Sequence, residues 1–178
     1  MVISDNWKDA QKSVADFLRK HKFGIKEEKR LKSGKRIDVL AQKKMGNNIL
    51  HVIVEVKDWS SISRKQETNF VKQIIKYLIE FAMEELLPKG YQEKWQKSEK
   101  TIRDQFIGIL CLTKEAHFSF RQVSHHFFRK NKEIQGIPLR EQIVDNIKLY
   151  VARFDYLAKV FEDANIPLYR EPEISDWF

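Results

Sequence analysis

Apolar residues recur at helical spacing from about residue 5 to 21, where Trp7, Ala10, Val14, Phe17 and Leu18 form one stripe. Ser4 or Asp5 can cap the start. Gly24 follows, then a short, charged strand pattern over about 25–31 and a turn at Ser33-Gly34. Residues 36–43 and 49–57 are the clearest strands, the second rich in β-branched Ile and Val. Between them Gly46-Asn47 suits a two-residue hairpin loop. A second amphipathic helix is predicted over about 66–87 from Phe70, Val71, Ile74, Ile75, Leu78, Phe81 and Ala82, ended by Pro88-Lys89-Gly90. Residues 91–104 are mostly polar and suit an inserted helix or an exposed excursion. The run FIGILCL at 106–112 suits a strand buried on both faces. Helices are predicted over 115–131 and 140–164, with Pro138 at the start of the second, and a last strand or extended segment over 166–170. The order α, β, β, β, α, β followed by helices predicts one α/β domain spanning 1–178 with a mixed sheet. Its core covers about 5–112, and 113–178 form a C-terminal helical elaboration.

Composition narrows the partners. Of 178 residues, 42% are hydrophobic and 33% charged, which suits a folded domain rather than a disordered chain. Lys and Arg exceed Asp and Glu, 33 against 25, for a net charge of +8. That balance points to an anionic partner, nucleic acid or a membrane surface, although a solvated basic surface with no partner fits the charge equally. No segment reads as a signal peptide or as an apolar span of about 20 residues, and no basic amphipathic helix with a large apolar face stands out. A soluble, cytoplasmic chain with no membrane partner is the expectation. The single cysteine, Cys111, excludes an internal disulfide framework and sits in an apolar run as a buried thiol.

The hairpin loop has a consequence for chemistry. With Gly46-Asn47 as the loop, Met45 faces Asn48, and the apolar pairs Ala41–Val52, Val39–Val54 and Ile37–Val56 share one side. On the other side Gln42 faces His51, Leu40 faces Ile53 and Asp38 faces Glu55. Two carboxylates then stand with Cβ atoms about 4.5–5.5 Å apart, a repulsive pair unless something offsets it. Lys57 projects from the same side and Arg36 faces it. A divalent cation with oxygen ligands offsets the pair better than one lysine does. The plain alternative is a surface charge cluster in which Asp38 or Glu55 pairs with Lys57 or Arg36. A loop at Asn47-Asn48 would instead set Asp38 opposite Lys57.

These residues carry a family resemblance. Gly34-Lys35-Arg36-Ile37-Asp38-Val39-Leu40 followed by Val54-Glu55-Val56-Lys57 resembles the PD-(D/E)XK nuclease superfamily, the restriction-endonuclease-like fold. The resemblance spans roughly residues 5–112 and implies an α-β-β-β-α-β core. It implies a nuclease hydrolysing nucleic-acid phosphodiesters, DNA rather than RNA, with Mg²⁺ or Mn²⁺. Asp38 and Glu55 would be metal ligands, the Val56 backbone carbonyl a further ligand, and Lys57 the group that orients or activates water and neutralises phosphate charge. Gln73 and Tyr77, four apart on the helix, resemble the QxxxY signature of exonuclease-like branches. Two departures stand out: Ile37 replaces the proline, and Gln11 falls where many members carry a supporting glutamate, with Asp9 nearby. The lack of a cysteine cluster excludes an iron–sulfur variant.

Other features weigh less. His117, His125 and His126 are spaced wrongly for one ion. Arg121, Arg129, Lys130 and Lys132, interleaved with Phe127 and Phe128, suit either a strand-binding surface or an amphipathic helix with a basic outer face. Lys26, Lys29, Arg30, Lys32, Lys35 and Arg36 form a basic run leading into the motif, placed to meet a phosphate backbone. Glu171, Glu173 and Asp176 read as a solvated acidic end. Rival readings are a non-catalytic nucleic-acid-binding module, and a subunit of a homodimer or larger restriction, repair or mobile-element complex. For the latter, Phe154, Leu157, Ala158 and Phe161 would form the partner face unless they close the core.

Overall fold

A computed structural model describes residues 6–46, 48–81, 105–113, 119–123, 133–134, 137–138 and 147–169. Helix α1 (Asn6–Lys20) leads into strands β1 (Gly24–Arg30), β2 (Arg36–Met45) and β3 (Asn48–Lys57). Helix α2 (Arg64–Phe81) and strand β4 (Gln105–Leu112) follow, so the expected α, β, β, β, α, β order holds. The later strands are β5 (Phe120–Gln122), β6 (Glu133–Ile134), β7 (Ile137–Pro138) and β8 (Ile147–Arg153). A 3-10 turn (Phe154–Tyr156) then enters helix α3 (Leu157–Asp163).

Six strands make one mixed sheet in the order β1-β2-β3-β4-β8-β5. The β1–β2, β2–β3 and β5–β8 pairs are antiparallel, and β3–β4 and β4–β8 are parallel. Strands β6 and β7 form a separate two-stranded sheet. The sheet is the middle of three layers. On one face α2 packs Phe70, Ile74 and Leu78 against Leu40, Ile53, Leu110 and Leu149. On the other, α1 (Val14, Leu18) and α3 (Leu157, Val160, Phe161) cover Val39, Val54, Ile109 and Tyr150. Two covered faces explain why β4 reads as a continuous apolar run.

Local sequence accounts for several boundaries. Gly46 takes φ +65 and Met45 pairs with Asn48, so the two-residue loop and its register are as the pattern predicts. Helix α2 starts two residues earlier than its apolar stripe suggests. Ser63 and Gln66 form a reciprocal capping box: the Gln66 N–H donates to Ser63 Oγ (3.2 Å), and the Ser63 N–H donates to Gln66 Oε1 (2.8 Å). Gly108 lies under α2, where an added Cβ would stand 2.4 Å from Ile74 Cγ2 and 2.7 Å from Leu149 Cδ2. Only glycine lets the helix come this close to the sheet.

The C-terminal half corrects the sequence reading. Residues 147–153, expected within a helix over 140–164, form β8. Its alternate residues divide between the two faces, Ile147, Leu149 and Val151 toward α2, Tyr150 and Ala152 toward α1 and α3. A short apolar run buried on both faces has no period that separates strand from helix, and parallel pairing with β4 decides it. Within the helix expected over 115–131, residues 120–122 are instead β5, an edge strand on β8. Pro138 belongs to β7, paired with Glu133, and does not open a helix. Residues 166–169 carry no strand pairing. The helical elaboration expected after residue 112 is thus partly sheet. Leu157 and Phe161, offered as a partner face, are buried and close the core. The expected ends of α2 beyond residue 81, the excursion at 91–104, His117, His125, His126, the Arg129–Lys132 part of the basic stretch and the acidic end lie outside the described residues. No helix among the described residues is long and apolar enough to cross a membrane.

Candidate functional site

The hairpin register brings two carboxylates together and then stops. Main-chain pairing of β2 with β3 runs from Met45–Asn48 to Val39–Val54. Beyond that point the Val56 N–H donates to the side chain of Asp38, at Oδ2 (2.9 Å). Ile37 accordingly leaves the expected pairing with Val56: it packs with Leu31 and Leu40 on the α2 side, while Val56 packs on the α1 side. Asp38 and Glu55 follow Leu40 and Ile53 in the alternation, so they share the α2 face of the sheet.

Both acids are buried, Asp38 at 7% exposure and Glu55 at 3%. Burial is the main reason each holds its proton more tightly than usual. For Asp38 the Val56 N–H, Lys57 and Arg36 oppose that rise, and the charge of Glu28 adds to it. For Glu55, burial and then the Asp38 charge push the carboxyl up to about 8, against a smaller pull from Lys57, Arg36 and the backbone at Asp38. Two buried carboxyls this close share fewer than two charges at neutral pH unless a cation joins them.

Lys57 ends β3 half-buried, and its Nζ stands 5.8 Å from the centre of the Trp59 ring. The Val56 carbonyl belongs to the same strand end. Beside it, the Thr113 hydroxyl donates to Asp58 Oδ1 (3.2 Å), joining the ends of β3 and β4. On α2, Gln73 Nε2 donates to Tyr77 Oη (2.6 Å). Tyr77 is buried in the α2-side cluster with Leu40 and Ile53, and its phenol pKa is raised first by burial and further by the charges of Glu55, Asp38 and Glu80, against the Gln73 hydrogen bond.

Gln11 lies on the buried face of α1, one turn before Val14. It approaches the sheet from the face opposite Tyr77. Asp9 is exposed and turns away from the sheet. Among the described residues, two buried side-chain oxygens lack a hydrogen-bond donor, Glu55 Oε1 and Gln11 Oε1. Buried acceptors left without a donor are costly, and a hard cation satisfies oxygen acceptors. The oxygen donors here, Asp38, Glu55 and the Val56 carbonyl, are of the kind that could hold Mg²⁺ or Mn²⁺. Still, no group of three or more His, Cys, Asp or Glu among the described residues is arranged to hold a metal. For a cation here the acids would supply two ligands, and the others would have to be main-chain carbonyl and solvent oxygens.

Two neighbours escaped sequence reasoning. Glu28 lies on β1 across from Asp38, between the pairs Glu27–Val39 and Lys29–Ile37. Its φ of +53 is in the left-handed region, uncommon for a glutamate. Arg36 bridges the two acids, with Nη1 3.2 Å from Glu28 Oε1 and Nη2 4.0 Å from Asp38 Oδ1. The other missed residue is Trp59, which neighbours Lys57. A two-residue Ser33-Gly34 loop would have set Lys29 opposite Asp38; the loop has one residue more, Leu31 closing on Lys35, and that shift brings Glu28 across from Asp38. Lys35 lies half-buried in that turn, its carbonyl accepting from the Leu31 N–H (2.8 Å). Lys26, Arg30 and Lys32 are exposed along the β1 edge and its turn.

Of the sequence-predicted residues, Asp38, Glu55, Val56, Lys57, Arg36 and Tyr77 converge on one place, and Gln73 joins through Tyr77. Gln11 comes from the other face, and Lys35 stays at the turn. Comparison with protein-family models, curated proteins and solved structures finds no significant match.

Proposed function

We propose that this chain is a Mg²⁺- or Mn²⁺-dependent nuclease that hydrolyses phosphodiester bonds in DNA, on a restriction-endonuclease-like core formed by α1 to β4. The observation that carries the reading is the convergence of buried Asp38 and Glu55 where β2 and β3 part, with Lys57 beside them. The PD-(D/E)XK pattern of Asp38, Glu55 and Lys57, with Gln73 and Tyr77 behind it, supports the same function.

In this reading Asp38, Glu55 and the Val56 carbonyl hold the cation, which when bound supplies positive charge at the phosphoryl oxygens and Lewis-acid activation of water. Lys57 holds its ammonium toward developing negative charge, and the Trp59 ring limits where that ammonium can go. Tyr77 Oη accepts from Gln73, so its own proton remains available to an oxygen in the cleft. The basic residues of β1 and its turn hold the phosphate backbone without reading bases.

Incubation with linear, circular and branched DNA in Mg²⁺ or Mn²⁺ tests the function. Cleavage by the wild type, lost in Asp38→Ala and Glu55→Ala, is expected. No cleavage of any form, or cleavage by either variant at the wild-type rate, refutes it.

A second reading is a nucleic-acid-binding module without catalysis, or a subunit of a larger complex. It is favoured by Gln11 in place of an acid and by the absence, among the described residues, of a three-acid cluster. Calorimetry with Mn²⁺ separates the two. The nuclease takes up the ion and, because Glu55 holds a proton up to about pH 8, releases about one proton near neutrality. A binding module does neither.

A further inference from the structure

Two cations flank the acidic pair, Lys57 and Arg36. Arg36 lies at its mouth, 41% exposed against 10% for the Asp38 side chain it overhangs. The two distances are unequal, 3.2 Å to Glu28 and 4.0 Å to Asp38. Its seat is therefore Glu28, and Asp38 is the looser neighbour. Glu28 is not part of the Asp38–Glu55–Lys57 pattern, yet it holds a left-handed backbone in a strand (φ +53), opposite Asp38. A guanidinium anchored on a third carboxylate can give up the second without losing its main partner.

We propose that Arg36 is a counter-ion at the rim of Asp38, competing with a divalent cation for that carboxylate, and that Glu28 is the positioning residue that keeps Arg36 from closing on it. The proposal rests on the metal-centre reading and adds two residues that set its affinity. With Glu28 present, the guanidinium stays at the rim and a cation can take Asp38. With Glu28 neutralised, the guanidinium has Asp38 as its nearest acid and blocks the site. After a cation is seated, Arg36 remains on Glu28, directly beside the basic turn that carries Lys32 and Lys35.

Mn²⁺ titration of the full chain, followed by calorimetry and by the resonance signal of free Mn²⁺, tests this without measuring cleavage. Arg36→Gln should tighten Mn²⁺ binding by roughly threefold, the scale of one half-exposed charge, and Arg36→Lys should stay near the wild type. Glu28→Asn, whose amide tolerates the left-handed backbone, should weaken binding by a similar factor. That weakening should shrink when Arg36 is already glutamine, since Glu28 acts through Arg36. Unchanged or weaker binding in Arg36→Gln, or purely additive effects in the double variant, overturns the proposal while leaving the metal centre standing. A wild type that takes up no Mn²⁺ overturns both.

Discussion

Buried ionisable side chains in this protein are perturbed chiefly by loss of water, and their consequences differ by partner. Cys111 has no exposure, and burial pushes its thiol up to about 12. It should resist thiol reagents in native buffer at pH 8 and react at once in denaturant; rapid native labelling would contradict the packing around β4. Glu55 is the informative case. Its folded pKa, about 8, lies above the ordinary 4.5, so the metal-free native chain keeps a proton that the unfolded chain releases. The contribution to stability is complete below pH 4.5 and is lost as pH rises through 8. Denaturant titrations of metal-free protein from pH 5 to 8 should show falling stability, and Glu55→Gln should flatten the decline. Asp38, raised for the same first reason, adds in the same direction.

At the scale of elements, what positions the site is the β2–β3 hairpin between the helices that cover the two faces of the sheet. The hairpin register was legible because one loop, Gly46-Asn47, and one apolar alternation agree. The start of α2 was also written in the sequence, in Ser63 and Gln66, but an apolar stripe does not reveal a polar cap. Gly108 is where element packing is most demanding. Gly108→Ala should destabilise by about 1–3 kcal/mol, because α2 must shift to admit a methyl group against Ile74 and Leu149. Urea denaturation reads this directly, and a change within error would mean that α2 does not pack so closely. Strand β8 was not legible as a strand, since Leu149 to Ala152 are apolar on both faces and only the neighbouring β4 edge selects an extended conformation.

For the whole molecule, a net charge of +8 and a buried acidic pair make two separable predictions. Affinity for DNA should fall steeply with salt, as expected when several Lys and Arg contact phosphates. Asp38→Ala should abolish cutting while leaving that salt dependence nearly unchanged, since the basic residues of β1 and its turn lie outside the acidic pair. Binding measured by fluorescence anisotropy across salt concentrations checks both. An Asp38→Ala variant that loses binding as completely as cutting would tie the two functions to one set of contacts.

Local information settled the first half of the chain. Short-range patterns, a stripe on α1, an alternation on β2 and β3 and a glycine at the hairpin loop, were enough to set Asp38 and Glu55 close together and Lys57 beside them. Spacing alone also marked Gln73 and Tyr77 as neighbours on one helix. Tertiary structure decided the rest, because those outcomes depend on what lies across a gap. The burial that raises both carboxyls comes from packing, and the end of main-chain pairing at Val39–Val54 turns Asp38 onto the Val56 N–H. The meeting of Glu28 with Arg36 needs a third strand in register. The choice of strand for 147–153 needs a sheet edge already in place, since a segment buried on both sides carries no period of its own.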